Sequence, residues 1–269
     1  MKNNLTLGYM TAEPGEKISG WMKIVNAEIE IPVTLICGTG HGPVVLITGG
    51  IHNAEYVGIQ AVIELREELQ AENLKGDVIL FPLVNRSGFE HRTMSMVYED
   101  GKNINREFPG NPEGSVTERI CHTFTEKVFP LADYYIDLHC GDGYEELYPH
   151  VYTLGAAAPE VNRASDAMAR AVSVDFRYPS SNASGGAYNH AGSMGIPGIL
   201  LERGSRSLWS RKETEADKAD VYNVLRHLGM LEGEAKYYDD IQRELRDGFF
   251  LTAGHTGLWY PCLHAGDRF

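Results

Sequence analysis

Val44-Val45-Leu46-Ile47 is followed at once by Gly49-Gly50-Ile51-His52-Asn53-Ala54-Glu55, and an amphipathic pattern follows in turn. The apolar run reads as a buried strand. The pattern over residues 54–71 reads as a helix, with Val57, Ile59, Ala61, Val62, Ile63 and Leu65 apolar and Glu64, Arg66, Glu67 and Glu68 on a solvated face. The glycine pair lets the backbone turn sharply or come close to a ligand. His52 and Glu55 stand at i and i+3 where strand gives way to helix, so both can point at one spot. A nitrogen and an oxygen ligand at one spot suit zinc. His-x-x-Glu also arises by chance, and a His near a helix start is commonly a plain surface residue.

The same alternation of strand and helix extends in both directions. Residues 1–40 read as strands, including 28–31 and 33–36, and Gly38, Gly40 and Gly42 mark a turn into a strand over 43–48. Further strands are expected at 77–81, 133–139, 150–154 and 196–202. Helices are expected at 115–131, opened by Ser115 with Glu118 as a capping box, and at 159–173 and 213–230. The Ser/Gly-rich stretch 180–195 reads as a loop with a short helical piece. Strands alternating with helices predict an α/β sandwich around a mostly parallel sheet.

A third metal ligand has to come from elsewhere in the chain, which has ten His. His139 closes the strand Asp133–His139, two residues after Asp137 on the same face. Strand ends of this kind build the sites of open α/β sheets. Asp137 is then placed to orient a ligand imidazole through its other nitrogen. The alternative is a His that caps a core strand on a backbone carbonyl. Glu202 ends the apolar run Ile196–Leu201. Beside a metal, its carboxylate can take a proton from water and return it to a leaving amine. Otherwise it is the first solvated residue after a strand. In the polar loop 100–110, Asn105 and Arg106 can fix an anionic group, since the guanidinium fork matches a carboxylate. Arg92 can stabilise a developing oxyanion. A surface salt bridge is the commoner fate of either Arg.

Taken together, the blocks GGIHNAE (49–55), NRSGFEHR (85–92), GKNINREFPG (101–110), DLHCGD (137–142) and GILLERG (198–204) resemble, in order, the succinylglutamate desuccinylase/aspartoacylase family, relatives of the zinc carboxypeptidases. The resemblance covers roughly residues 30–205. It implies a zinc-carboxypeptidase-like fold, with a mixed, mostly parallel sheet and helices on both faces. It also implies one zinc ion per chain on His52, Glu55 and His139, with Glu202 as general base. Arg92, Asn105 and Arg106 become contacts to the scissile carbonyl or a substrate carboxylate. Aspartoacylase-like members place another Arg shortly before the strand of the catalytic Glu. Residues 188–195 contain none, so recognition of a dicarboxylic amino acid is not implied. The expected activity is hydrolysis of an N-acyl amino acid-like amide. The rivals are a metallocarboxypeptidase acting on short peptides, and a metal-site-bearing protein that binds without catalysis.

Composition narrows the partners. The formal net charge of −13 disfavours nucleic acid and anionic membranes. No apolar run approaches the ~20 residues of a membrane span, and the first residues lack a secretory h-region, so a cytoplasmic protein is expected. Four Cys without CxxC spacing disfavour a thiolate zinc finger. A Cys140–His139 nucleophile pair has no supporting motif. Family members carry a small C-terminal β-domain. Residues 1–245 are read as the catalytic domain and 246–269 as the start of that β-module, cut short. Short strands are expected at 249–252 and 257–260, with Trp259 and Phe269 left exposed. An unpaired edge there would let copies associate as a homo-oligomer.

Overall fold

Along β5 (Gly40–Gly49), Val45 and Ile47 face one way and Leu46 the other, and all three are fully buried. A strand of this kind needs cover on both faces. In β6 (Lys75–Phe81), Val78 and Leu80 likewise join one apolar cluster and Ile79 and Phe81 the other. The computed structural model describes residues 2–249 and 251–267 and supplies that cover with helices on both sides. On one side lie α1 (Tyr56–Glu68) and α6 (Arg211–His227), through Val62, Leu65, Val221 and Val224. On the other lie α3 (Val116–Thr123) and α5 (Ala187–Ser193), through Ile120, Ala187 and Ala191. A further helix, α4 (Pro159–Ala169), adds Met168 and Ala169 to the first cluster and Val161 to the second.

Nine strands line up as β11 (Arg243–Glu244), β9 (Phe176–Ser180), β8 (His150–Leu154), β10 (Gly198–Glu202), β7 (Tyr134–His139), β5, β6, β4 (Glu30–Cys37) and β3 (Lys17–Lys23). Pairing is parallel except at β8–β10, β4–β6 and β3–β4. A separate hairpin joins β1 (Leu5–Leu7) to β2 (Met10–Ala12). The mixed, mostly parallel α/β sheet is therefore formed as expected.

The differences from expectation are local. The two runs 28–31 and 33–36 make one strand, β4. The helix expected over 115–131 ends as α3, then loosens into a π turn at Phe124–Val128 and a 3-10 turn at Phe129–Leu131. Pro130 lacks the N–H a regular helix needs there. Strand β9 was not foreseen, because Pro179 argues against a central strand. Its neighbour β11 pairs only with Phe176 and Arg177, so Pro179 lies where β9 is an edge. The short helix α2 (Arg86–His91) was also unforeseen. Beyond Glu244 no strand forms among the described residues, so neither 249–252 nor 257–260 is strand there. Trp259 is 79% exposed. Phe250 and Phe269 lie outside the described residues. Among the described residues, no helix is long and apolar enough to cross a membrane.

An ion cluster joins α1 to α6. Lys218 Nζ lies 2.8 Å from Glu64, 2.6 Å from Glu68 and 3.1 Å from Glu215, and the lysine itself is buried. Burial raises the Glu64 carboxyl. Hydrogen bonds from Lys218, Gln60 and Arg211 outweigh that and hold it down to about 2. A depressed carboxyl stabilises the fold above its unfolded value of 4.5 and loses that contribution as the pH falls toward about 2. Urea midpoints between pH 5 and pH 3 are therefore expected to fall further in the wild type than in Lys218→Met. An equal fall in both would show that this cluster contributes nothing to the pH dependence.

Candidate active site

The carboxyl ends of β5, β7 and β10 lie side by side. Leu138 pairs with Gly49, and His139 pairs with Glu202. After β5 the backbone turns at Gly50, whose φ of +65° is left-handed and suits glycine. A Cβ on Gly49 would come within 2.9 Å of the Gly58 carbonyl oxygen of α1. The glycine pair thus serves the turn and the close approach of α1. Glu55 is the residue at which α1 begins.

His52, Glu55 and His139 meet, with one ligand atom from each lying within 4.8 Å of the others. The Glu55 carboxylate spans the two imidazoles. Oε1 is 2.7 Å from His52 Nδ1, and Oε2 is 2.8 Å from His139 Nδ1. Both rings point Nδ1 inward and Nε2 outward. The outer partners are Asn103 Oδ1, 3.0 Å from His52 Nε2, and Asp137 Oδ2, 3.1 Å from His139 Nε2. The second contact is poorly angled, and neither atom has a properly aligned hydrogen-bond partner. Each Nδ1 contacts Glu55 here, and the tautomer with its proton on Nε2 would turn both Nδ1 lone pairs toward a metal at this point. Two imidazole nitrogens and one carboxylate, nearly or fully buried, form a donor set that fits zinc.

The electrostatics favour positive charge at this point. Burial alone would raise the Glu55 carboxyl, but His139 and then His52 hold it down to about 2. Burial would likewise disfavour a charged His139, but Glu55 and Asp137 push its pKa well above the ordinary range. Around this centre runs a chain of hydroxyls. Tyr135 Oη lies 2.7 Å from Thr48 Oγ1, which donates to Asp137 Oδ1 at 2.6 Å. The Cys140 backbone N–H donates to Glu55 Oε2 at 3.1 Å. The Cys140 thiol is buried, and burial followed by the Glu55 charge pushes its pKa far up, so it offers no thiolate nucleophile.

Glu202 is half-buried beside a cleft of about 940 Å³ that Tyr152 and His150 also line. Its Oε2 is shut off from solvent and has no hydrogen-bond partner among the described residues. Burial first, then the charge of Glu55, pushes the carboxyl up to about 8. Asn105 is buried, and its Oδ1 accepts the Ala187 N–H at 2.7 Å. Arg106 is exposed at the end of the 3-10 turn Ile104–Arg106, and it donates to the Asn105 carbonyl at 2.7 Å. Its charge reaches Tyr152 and offsets part of the rise in that phenol's pKa, which burial and then Glu202 cause. Arg92 is exposed just past α2, with φ +58°, and has no ion-pair partner among the described residues. Two residues on, the Met94 carbonyl accepts the Ala54 N–H at 3.1 Å, so the chain after Arg92 runs beside the ligand loop.

The sequence reading missed Asn103, Thr48 and Tyr135. A polar Thr in an otherwise apolar strand was a usable signal for Thr48, which is fully buried. Asn103 carried none, since its partner lies 51 residues away.

Comparisons with known proteins agree with this geometry. A family model described as the succinylglutamate desuccinylase/aspartoacylase catalytic domain matches residues 41–228. The N-alpha-acetyl-L-2,4-diaminobutyric acid deacetylase of Halomonas elongata is 31% identical over 246 residues, which are 89% of this chain and 71% of that protein. A succinylglutamate desuccinylase/aspartoacylase from Rhodobacter sphaeroides superposes with a TM-score of 0.83 at 25% identity, covering 93% of this chain and 79% of that one. The product-bound ectoine utilization protein EutE (DoeB) from Ruegeria pomeroyi gives 0.80 at 28% identity, covering 93% and 77%.

The outer partners generate a test by metal titration. Asn103→Ala and Asp137→Asn are each expected to weaken zinc affinity by roughly 10–100-fold, the usual effect of losing a group that orients a ligand. His52→Ala is expected to lose the bound metal. Affinities unchanged in all three variants would remove the metal assignment.

Proposed function

The chain belongs to the succinylglutamate desuccinylase/aspartoacylase family, and from that premise we propose that it is a zinc-dependent deacylase that cleaves the amide of an N-acyl amino acid. The single observation that carries this reading is the Oε2 atom of Glu202, shut off from solvent and unpartnered among the described residues, on a residue whose strand position pairs with His139 of the ligand cluster. A binding protein has no use for such a group, whereas a hydrolase needs one to move a proton. The deacetylase activity of the Halomonas elongata relative supports the same reaction class.

His52, Glu55 and His139 would hold the zinc ion. When bound, zinc supplies a Lewis acid that polarises the acyl carbonyl and makes water a better nucleophile near pH 7. With a cation on the ligand cluster to offset the charge of Glu55, Glu202 would ionise, accept a proton from the attacking water and hand it to the departing amine. Arg92 stabilises the oxyanion. A left-handed residue just past a helix is ordinarily Gly or Asn. An Arg accepted there supports a role for its side chain. Asn105 has its carbonyl oxygen bonded to Ala187, so it offers its NH₂ group to the substrate. Arg106 holds the substrate carboxylate, a reading supported by its influence on Tyr152 in the cleft wall. Catalysis belongs to residues 1–245, which contain every strand and helix of the described chain. Residues 246–269 belong to a C-terminal module whose Trp259 and His264 reach the cleft.

Glu202→Gln is expected to keep zinc and lose roughly 10²–10⁴-fold in kcat on N-acetyl amino acids. Wild-type turnover in that variant would mean that another group moves the proton. Arg106→Ala is expected to raise KM about 10-fold or more for carboxylate-bearing substrates and to leave the corresponding methyl esters nearly unchanged. An equal effect on acids and esters would make Arg106 a structural residue.

A further inference from the structure

Three chemically active side chains stand in one row across the carboxyl end of β10. His139 of β7 pairs with Glu202 of β10, and Glu202 pairs in turn with His150 of β8. Paired residues on neighbouring strands project from the same face of a sheet, with Cα atoms about 5 Å apart. The row therefore runs from metal ligand to proposed base to imidazole. Strand β8 is antiparallel to β10, so its first residue lies at this end. His150 lines the cleft together with Glu202 and Tyr152, and no step of the mechanism above uses it.

The His150 ring is held so that one nitrogen stays unspent. Its Nδ1 lies 2.8 Å from the Tyr148 carbonyl oxygen. That oxygen can only accept, so Nδ1 carries the proton and the lone pair of the neutral ring is on Nε2. Among the described residues no side chain bonds to Nε2. Burial lowers the pKa of the ring, and the bond to the Tyr148 carbonyl offsets only part of that, so the ring is neutral near pH 7. Tyr152, two residues on and on the same face, meets the ring edge to face at 4.8 Å, and Tyr178 of β9 braces Tyr152 at 5.4 Å. A His that merely satisfies a strand end would account for Nδ1 alone. Here a backbone carbonyl and an aromatic wall fix the ring, and its acceptor faces the cleft.

The order along the row supplies a partner for that acceptor. An amide bound with its carbonyl at the His139 end has its nitrogen on the side of Glu202, the group that delivers a proton to it. An amide nitrogen becomes basic only as it pyramidalises, and its N–H must then point away from the incoming proton. An acceptor one strand beyond Glu202 is placed to hold that N–H.

We propose that His150 Nε2 accepts a hydrogen bond from the N–H of the scissile amide and so turns the nitrogen lone pair toward Glu202. This rests on the deacylase reading above and adds to it a residue for the leaving group. No proton changes hands at His150. The proton that Glu202 takes from water goes to the nitrogen, the C–N bond breaks, and the amine leaves with its original hydrogen as well as the delivered one. Selectivity follows, because a secondary amide brings the donor that Nε2 requires and an ester does not.

The test compares N-acetylalanine with O-acetyllactate, in which an ester oxygen replaces the N–H, on the zinc-loaded wild type, His150→Phe and His150→Gln. His150→Phe is expected to lower kcat on the amide about 10-fold, the upper range for one hydrogen bond, and to leave kcat on the ester nearly unchanged. His150→Gln, whose side-chain oxygen can accept, is expected to recover part of the loss. An equal fall on amide and ester, or no fall on the amide, would overturn the proposal. A second measurement needs no turnover. In zinc-loaded Glu202→Gln, the ¹⁵N resonance of His150 Nε2 is expected to shift when N-acetylalanine binds and to stay in place with O-acetyllactate. Equal shifts, or none, count against the role. Failure of the deacylase reading would look different, since the wild type would then hydrolyse neither substrate.

Discussion

A carboxylate that is 2% exposed cannot stand alone, and Glu55 is that carboxylate. Removing a charge from water costs several kcal/mol, repaid only when opposite charge and hydrogen-bond donors sit close by. Glu55 has two imidazoles and the Cys140 N–H, and each comes from a different part of the chain or is fixed by one. The turn at Gly50, the end of β7 and the start of α1 are all placed so that this charge is met. The negative charge of Glu55 and Asp137 therefore favours positive charge at this point.

The sheet sets the distances. His139 and Glu202 are register partners on adjacent parallel strands, so their Cα atoms are held about one strand spacing, ~4.8 Å, apart. Immediately after Glu202, Arg203 turns into the protein and pairs with Asp217 at 2.8 Å and Asp220 at 2.7 Å on α6. This buried pairing clamps the end of β10. The clamp is costly to break, because it would leave two carboxylates in the interior. It keeps Glu202 directed toward the cleft.

The alternation in β5 and β6 and the apolar stripe of α1 were readable because local periodicity reports burial directly. His52, Glu55, His139 and Glu202 were readable for a related reason. Each sits at a strand end or strand-to-helix turn that the periodicity itself marks. Strand β9 was not, because Pro179 carries a local signal against it and only the shortness of β11 makes it tolerable. Asn103 was hidden for another reason. Its partner His52 lies 51 residues away, and nothing in a polar loop distinguishes a side chain that reaches across the fold from one that meets solvent. Arg106 was found by type, and its exposure shows how weak type alone is as a guide to position.

The loop 101–110 is pinned on two sides. Asn103 holds His52 through Oδ1, and the same oxygen accepts the Asn105 N–H at 2.8 Å. Asn105 in turn holds the start of α5, and Phe108 bridges to Gly185. Such a loop has little freedom to evolve. A change at Asn103 disturbs His52 and, through Asn105, the start of α5 as well. The loop 141–147 is tied to the segment 203–207 instead. Substitutions in the second loop are therefore expected to leave the cluster of His52, Glu55 and His139 in place, whereas a substitution at Asn103 releases His52 and the adjoining turn together.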